Sequence, residues 1–148
     1  MNNKWEIREA VVEDSEKLKR IMESAYSIYK ERMGRNKLPP LEVDYKDEIE
    51  NYPVWVVEME NELVGGIILM YEIEYCQIAN IGVDANFQGY GIGRVLLEFA
   101  ESVAKKKGYS IIKLATHVLF TENLSYYKKL DWIEYNRDET RIYMEKSL

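Results

Sequence analysis

Residues 86–94, NFQGYGIGR, place glycines at positions 89, 91 and 93, directly before the apolar residues of an amphipathic helix. Glycine inside a helix costs ~1 kcal/mol relative to alanine, so three glycines at a helix start need a physical reason. The backbone N–H groups at a helix N-terminus bind anions, and glycine lets a ligand approach them closely. The stretch therefore predicts an anion-binding loop, with a purely structural turn as the alternative.

The sequence on both sides of this loop predicts a single α/β domain over residues 1–148, in the order β-α-α-β-β-β-α-β-α-β-β. Apolar patterns predict strands over 4–11, 54–59, 63–72, 75–83 and 110–116. They also predict a terminal hairpin over 132–146. Helical spacing predicts helices over 15–33, 45–51, 92–107 and 121–130.

Cap and breaker residues set the expected ends of these helices. Asp14 or Ser15 is predicted to cap the first helix, Gly34 to end it, and Thr121 to open the last. Pro39 and Pro40 predict a loop over residues 35–45. The helix after the glycine loop is predicted to bury one face, made of Ile92, Leu96, Phe99, Ala100 and Val103.

The composition excludes several classes of protein. The chain is 47% hydrophobic with a net charge of -6, which is typical of a folded domain and not of a basic nucleic-acid-binding one. One cysteine and one histidine leave no disulfide and no Cys/His zinc site, so no metal is expected. The longest apolar runs are too short to span a bilayer, and residues 1–17 lack the apolar segment of a signal peptide. We expect a cytoplasmic protein with no membrane or nucleic-acid partner.

Two common phosphate-binding motifs do not fit the glycine stretch. A P-loop requires Gly-Lys-Ser/Thr, whereas Gly93 is followed by Arg94 and Val95. The dinucleotide fingerprint requires the spacing G-x-G-x-x-G, whereas the glycines here follow G-x-G-x-G. The spacing therefore disfavours a nicotinamide-binding domain.

The pattern from Gln88 to Gly93, QGYGIG, resembles the acetyl-CoA loop of the GNAT superfamily of N-acetyltransferases. The segment FTENLSYYKKLDW, residues 120–132, resembles the late motif of the same family, with Asp131-Trp132 in place of its Gly-Phe turn. The resemblance covers almost the whole chain. It implies an α/β (α+β) GNAT fold, with a mixed, mostly antiparallel sheet of about seven strands that splays in the middle and is flanked by about four helices.

The resemblance also implies an activity and a set of site residues. The activity is transfer of an acetyl group from acetyl-CoA to a small-molecule or peptide amine, with a homodimer left open. Tyr127 takes the catalytic position, where its phenol can protonate the departing thiolate. The cofactor-binding positions are Ile81, Gly82, Val83, Gln88, Gly89, Tyr90, Gly91, Ile92, Gly93, Arg94, Asn123 and Tyr126.

The general base is where the sequence departs from the family. Ala79 and Gln77 occupy the strand positions at which many members carry a glutamate. Glu72, Glu74, His117 or solvent remain as alternatives, and a non-catalytic acyl-CoA-binding module is the alternative function. Cys76 lies in a predicted strand, so no covalent enzyme intermediate is expected. In the family, the first helix and the following loop wall the acceptor site, so residues 27–41 are expected to shape the choice of acceptor.

Overall fold

A mixed seven-stranded sheet forms the centre of the computed structural model, which describes residues 5–30 and 43–148. Its strands are β1 (Trp5–Glu9), β2 (Val54–Met59), β3 (Glu62–Tyr71), β4 (Cys76–Val83), β5 (Ile111–His117), β6 (Ile133–Arg137) and β7 (Arg141–Ser147). Their order is β1-β2-β3-β4-β5-β7-β6, and only β4 and β5 are parallel neighbours. The predicted fold class is confirmed.

Helices cover both faces of the sheet. They are α1 (Ser15–Tyr26), α2 (Tyr45–Asn51), α3 (Ile92–Lys106) and α4 (Thr121–Lys129). Neighbouring residues of a strand face opposite sides. A Cβ on Gly66 would lie 2.5 Å from Leu18 of α1, and one on Gly65 would lie 3.2 Å from Ile92 of α3. The adjacent glycines of β3 therefore allow α1 and α3 to pack closely on the two faces. In the described part of the chain, no helix is long and apolar enough to cross a membrane.

The predicted boundaries hold for most elements, but a 3-10 turn interrupts the first predicted helix, 15–33, within the described residues. α1 ends at Tyr26 and continues into a 3-10 turn, Ser27–Tyr29. The predicted stop at Gly34 and the loop around Pro39 and Pro40 lie outside the described residues. Asp14 occupies the capping position of α1, as predicted, although its side chain makes no capping hydrogen bond. α4 begins at Thr121, which confirms the predicted start of this helix, and Phe120 precedes it.

The buried face of α3 differs from the predicted one by two residues. Leu97 and Ala104 are fully buried, whereas Phe99 and Val103 are only partly buried. The Phe99 ring packs edge-on against Trp55 with 5.4 Å between the ring centroids. The apolar stripe of this helix is wide enough for either rotation, and packing on the sheet decides between them.

The sheet splays between its two parallel strands, as predicted. β4 and β5 pair only at Cys76–Ile112 and Gln77–Lys113. Immediately beyond, the register between β3 and β4 shifts so that Ala79 is left without a partner. Such a bulge bends its strand, which explains why β4 leaves β5 at this point. The separation opens one edge of β4 from Ile78 onward.

An ion pair at the start of the chain gives a prediction on acid stability. Asp14, almost fully buried, accepts two hydrogen bonds from Arg8, at 2.8 and 2.9 Å, and a third from the N–H of Val11. The Arg8 guanidinium holds the pKa of Asp14 below its usual value. Because the pKa is lowered in the folded state, this stabilisation is present above about pH 4 and is lost as the pH falls through the folded-state pKa.

We therefore expect Asp14→Asn to lower the free energy of unfolding at pH 7 by about 1–2 kcal/mol, allowing for the partly exposed partner. The difference from the wild type should shrink when unfolding by urea is measured near pH 3. The exposed neighbour Glu13 is the matched control, and Glu13→Gln should change neither value. An undiminished difference at pH 3 would contradict the ionic explanation.

Candidate active site

The glycine loop joins β4 to α3 and owes its shape to two of its three glycines. Gly89 and Gly91 have φ angles of +89° and +81°. This left-handed region is costly for residues with a Cβ, so both positions require glycine. Gly93 has an ordinary φ, and a Cβ there would lie 3.8 Å from the Tyr126 hydroxyl. The third glycine therefore keeps space open above the helix start.

Backbone donors are free at this helix start. Gly91 is the residue before α3, and its carbonyl accepts the first hydrogen bond of the helix, from the N–H of Val95. The preceding N–H groups of 92–94 have no partner within the helix, and no acidic residue lies in its first turn. Arg94 forms an ion pair of 2.9 Å with Glu98, one turn along the exposed face. The site is therefore a set of backbone donors at the positive end of a helix, which suits an anion.

A cavity of about 430 Å³ lies between the glycine loop, the open edge of β4 and α4. Most of the predicted cofactor-binding residues line it, namely Ile81, Gly82, Val83, Gln88, Gly89, Gly91, Ile92, Gly93, Asn123 and Tyr126. Tyr90 and Arg94 from the same prediction do not line it. Tyr90 is half exposed and packs against Phe87.

The backbone at the open edge of β4 can pair with an extended ligand. The N–H of Asp84 donates to Val64 of β3, and backbone groups alternate between the two edges of a strand, so Ile81 and Val83 face the opening. The carbonyl of Ile81 already accepts the Tyr26 hydroxyl at 3.1 Å. Gly82 faces β3 instead, and a Cβ there would lie 2.6 Å from Met22, so packing explains this glycine.

A second cavity of about 200 Å³ occupies the splay between β4 and β5. It adjoins the first, because four residues line both, namely Tyr26, Ile81, Asn123 and Tyr127. A molecule in the larger cavity and a molecule in the smaller one would therefore meet beside these side chains. This junction is where a reaction between two ligands would take place.

Tyr127 presents a free hydroxyl at the junction. Its ring is 8% exposed and packs edge-on against Trp132, with 6.1 Å between the centroids. Asp131, at a φ of +72°, makes the turn that places Trp132 there. Burial raises the pKa of Tyr127 above its ordinary value, so the phenol stays protonated at neutral pH. Its hydroxyl has no hydrogen-bond partner within 5–30 and 43–148, which leaves it available to a ligand.

The two other predicted residues of α4 lie beside it. Asn123 is one turn before Tyr127 on the same face, and its Oδ1 accepts the Tyr29 hydroxyl at 3.3 Å. Tyr126 is 39% exposed and lines only the larger cavity. The structure thus separates two adjacent tyrosines into a buried one at the junction and an exposed one beside the glycine loop.

Tyr26 is a site residue that the sequence analysis missed. Its hydroxyl lies 3.3 Å from Asn80 Oδ1 in addition to the bond with Ile81, and the Asn80 amide donates to Tyr45 at 3.2 Å. An asparagine at a buried strand position requires partners, and this signal at Asn80 could have pointed to a polar group on α1. Tyr26, the last residue of α1, therefore contributes both to the core and to the site.

The candidate bases differ in whether they line a cavity, whereas both strand positions where many members of the family carry a glutamate line the smaller one. Ala79 and Gln77 line the smaller cavity, whereas Glu72 and Glu74 are exposed in the β3–β4 turn and line neither cavity. His117 lines the smaller cavity, but its Nδ1 accepts the N–H of Leu119 at 3.1 Å. The neutral imidazole then carries its proton on Nε2, so the ring offers the cavity a donor and no free lone pair.

The lone cysteine and the possible metal ligands were also located among the described residues. Cys76 is fully buried, and burial raises the pKa of its thiol to about 11. A protonated thiol is a poor nucleophile. Within the same residues, no group of three or more His, Cys, Asp or Glu side chains could hold a metal ion.

Comparisons with known proteins identify a family and a fold. The model of the family described as "Acetyltransferase (GNAT) family" matches residues 18–132, which is more than half of the chain. None of the curated proteins is similar enough in sequence to count as a match.

Solved structures extend the likeness over nearly the whole chain. PaiA N-acetyltransferase from Thermoplasma acidophilum, in complex with coenzyme A, has a TM-score of 0.80 and 22% identity, covering 98% of this chain and 99% of that one. IAA acetyltransferase from Bacillus cereus has a TM-score of 0.76 and 19% identity, covering 98% and 100%. The ribosomal-protein-S18-alanine N-acetyltransferase from Escherichia coli has a TM-score of 0.75 and 18% identity, covering 97% and 94%. At these identities the likeness establishes the fold.

Proposed function

The chain belongs to the GNAT family of acetyltransferases, and from this premise we propose that it transfers an acetyl group from acetyl-CoA to a primary amine. The transfer occurs by direct attack within a ternary complex. The observation that carries the proposal is the junction of the two cavities at Tyr127. One cavity ends in the free donors of the glycine loop, and the other opens into the splay.

The larger cavity suits coenzyme A in three respects. The N–H groups of the glycine loop and the start of α3 can hold the pyrophosphate without a cation. The pantetheine amides can pair with Ile81 and Val83 as an added strand would, with Asn123 as a further partner. The likeness to PaiA, whose structure contains coenzyme A, supports this assignment. The thioester then lies toward Tyr127.

The reaction needs a nucleophile, a leaving group and two proton transfers. The neutral amine attacks the thioester carbonyl, the C–N bond forms, and the C–S bond breaks to release the thiolate of coenzyme A. The Tyr127 hydroxyl donates its proton to that sulfur as charge develops, and the phenolate regains a proton from solvent before the next turnover. The amine nitrogen loses its extra proton to solvent, since neither Ala79 nor Gln77 of β4 can accept it.

The second candidate is a non-catalytic acyl-CoA-binding module of the same fold. The missing carboxylate at the bulge of β4 favours it, because the position many relatives use for a base is Ala79 here. Both candidates share the single domain over 1–148. For the enzyme we propose a cytoplasmic protein, consistent with its one cysteine being unpaired and buried. The acceptor is a small-molecule or peptide amine.

Acetyl-CoA turnover with a panel of primary amines tests the proposal. The enzyme should release free thiol and acetylated amine in equal amounts, each at a rate above that with acetyl-CoA alone. Because no strand carboxylate accepts the amine proton, kcat/KM should climb steadily from pH 7 to 9, since an alkyl amine with a pKa of ~10.4 is mostly protonated in this range. His117→Asn should keep the same slope.

Binding of acetyl-CoA without turnover of any amine would favour the non-catalytic module. A plateau reached by pH 7 would contradict the solvent-deprotonation step. If that plateau disappears in His117→Asn, the histidine is the base; if it survives, Glu72 or Glu74 acts through water.

A further inference from the structure

The described residues that line the smaller cavity carry a net positive charge, whereas the chain as a whole is acidic. Acidic residues outnumber basic ones by 26 to 20 in the sequence. Yet no aspartate or glutamate is among the described residues that line the cavity, and the only lining side chain among them with a fixed charge is Arg141. A polycationic acceptor would leave its charges without partners there, so the charge of this cavity favours an acceptor that brings a negative group.

Arg141 and His117 stand opposite each other at the end of the cavity. They are register partners on β7 and β5. His117 uses Nδ1 to accept the N–H of Leu119, so its Nε2–H is free to donate into the cavity. No acidic residue of the described ranges forms an ion pair with Arg141. Two donors therefore meet at one end of the cavity, and neither is neutralised by a carboxylate.

The Asp138 carboxylate lies in the turn before Arg141, where it is hydrogen-bonded to other groups. Its Oδ1 accepts the N–H groups of Thr140 and Arg141 at 2.9 and 2.7 Å, and its Oδ2 accepts the Tyr143 hydroxyl at 2.9 Å. The carboxylate is thus used to hold the turn between β6 and β7, which places Arg141 at the first position of β7. The Arg141 guanidinium lies beside the Tyr143 hydroxyl and forms no ion pair with a described carboxylate, so it can turn to a negatively charged ligand.

We propose that the acceptor is an amine that also carries a carboxylate. The carboxylate binds the Arg141 guanidinium and the His117 Nε2–H, and this orients the amine toward the junction at Tyr127. The inference rests on the proposed function and adds the chemical class of the acceptor. Charge-assisted hydrogen bonds of this kind contribute on the order of a tenfold to hundredfold preference.

The test compares matched acceptors in three proteins. β-Alanine and propylamine have the same chain length and differ in the carboxylate. We expect wild-type kcat/KM to favour β-alanine by at least about tenfold. Arg141→Gln should reduce this ratio to near one. Arg137→Gln is the matched control, because Arg137 lies on the adjacent strand β6, pairs with Glu134 and lines neither cavity, so it should leave the ratio unchanged.

Binding gives a second readout that does not depend on turnover. His117 is the only histidine of the chain, so its ring signals in an NMR spectrum are unambiguous. β-Alanine added to the coenzyme A complex should shift the Nε2–H signal of His117 in the wild type and not in Arg141→Gln, whereas propylamine should shift it in neither.

The outcomes separate the two levels of the proposal. Equal or better acetylation of propylamine would overturn the carboxylate inference and leave the acetyltransferase intact. A preference that persists in Arg141→Gln would overturn the assignment to this arginine. If the protein binds acetyl-CoA, acetylates no amine of the panel and shows no His117 shift, the proposed function and the inference fail together.

Discussion

Gly91→Val is expected to weaken coenzyme A binding by at least about a hundredfold, because it removes several charge-assisted backbone contacts at once. Gly91 has a φ of +81°, which valine cannot adopt without strain. Relief of that strain turns the N–H groups of 92–94 away from the ligand. Calorimetric titration with coenzyme A, on protein shown to be folded by circular dichroism, measures the effect.

The same helix provides the matched control at its other end. Gly108 has a φ of +96°, and at both glycines an added Cβ would meet no atom within 4 Å. Gly108→Val should therefore cost about the same 1–2 kcal/mol of stability as Gly91→Val. It lies away from the loop and should leave the affinity for coenzyme A unchanged. Equal loss of affinity in both variants would mean that strain, not the loop, is responsible.

Gly93→Ala keeps the prediction testable if Gly91→Val does not fold. The methyl group would make ordinary contacts of 3.8 Å with Tyr126 and Val83, so the fold should tolerate it. It would nevertheless occupy space in the cavity, and affinity should fall at least several-fold. Arg94→Ala should weaken binding only several-fold, because Arg94 pairs with Glu98. Unchanged affinity for coenzyme A in a folded Gly93→Ala variant would contradict the assignment of the glycine loop as the coenzyme A site.

The fold and the glycine loop could be predicted from sequence because their signals are local. Glycine at positions 89 and 91 reflects a backbone conformation that other residues adopt at a cost, and the late motif places Tyr127 one turn after Asn123 on one helix face. The turn at Asp131 was also predictable. Its φ of +72° confirms that aspartate adopts the left-handed conformation at a position where the family has glycine.

Other features of the site depend on pairings that a single sequence does not encode locally. The bulge at Ala79 exists because β3 and β4 shift register by one residue, and that shift fixes which residues of β4 face the opening. The roles of Tyr26 and Asn80 likewise depend on contact between α1 and β4 across the sheet. The tautomer of His117 depends on one backbone bond from Leu119. Each of these features depends on tertiary contacts, which leave no periodic pattern in the sequence.

Tyr127→Phe is expected to lower kcat at least about tenfold, since a positioned general acid typically contributes ~10²–10⁴-fold. The affinity for acetyl-CoA should change little, because the ring keeps its packing against Trp132. The stability should also be preserved. Within the described residues the hydroxyl has no hydrogen-bond partner, so its removal leaves no other buried group unsatisfied.

These three measurements distinguish a reacting hydroxyl from a structural one. A structural tyrosine would lose stability in the phenylalanine variant, and a binding residue would lose affinity, whereas a general acid loses kcat with KM nearly unchanged. Tyr126→Phe is the matched control, because the adjacent ring is exposed and lines only the larger cavity. If Tyr126→Phe loses turnover and Tyr127→Phe does not, the roles of the pair are reversed.

The pH dependence of the wild-type rate tests the role of the Tyr127 hydroxyl independently. Burial raises the pKa of Tyr127, so its phenol remains a proton donor throughout the range in which the amine becomes nucleophilic. The wild-type rate should therefore rise toward pH 9 with no fall from loss of the acid. A wild-type rate that declines between pH 8 and 9, with a decline that vanishes in Tyr127→Phe, would show a phenol that ionises early and would contradict its burial.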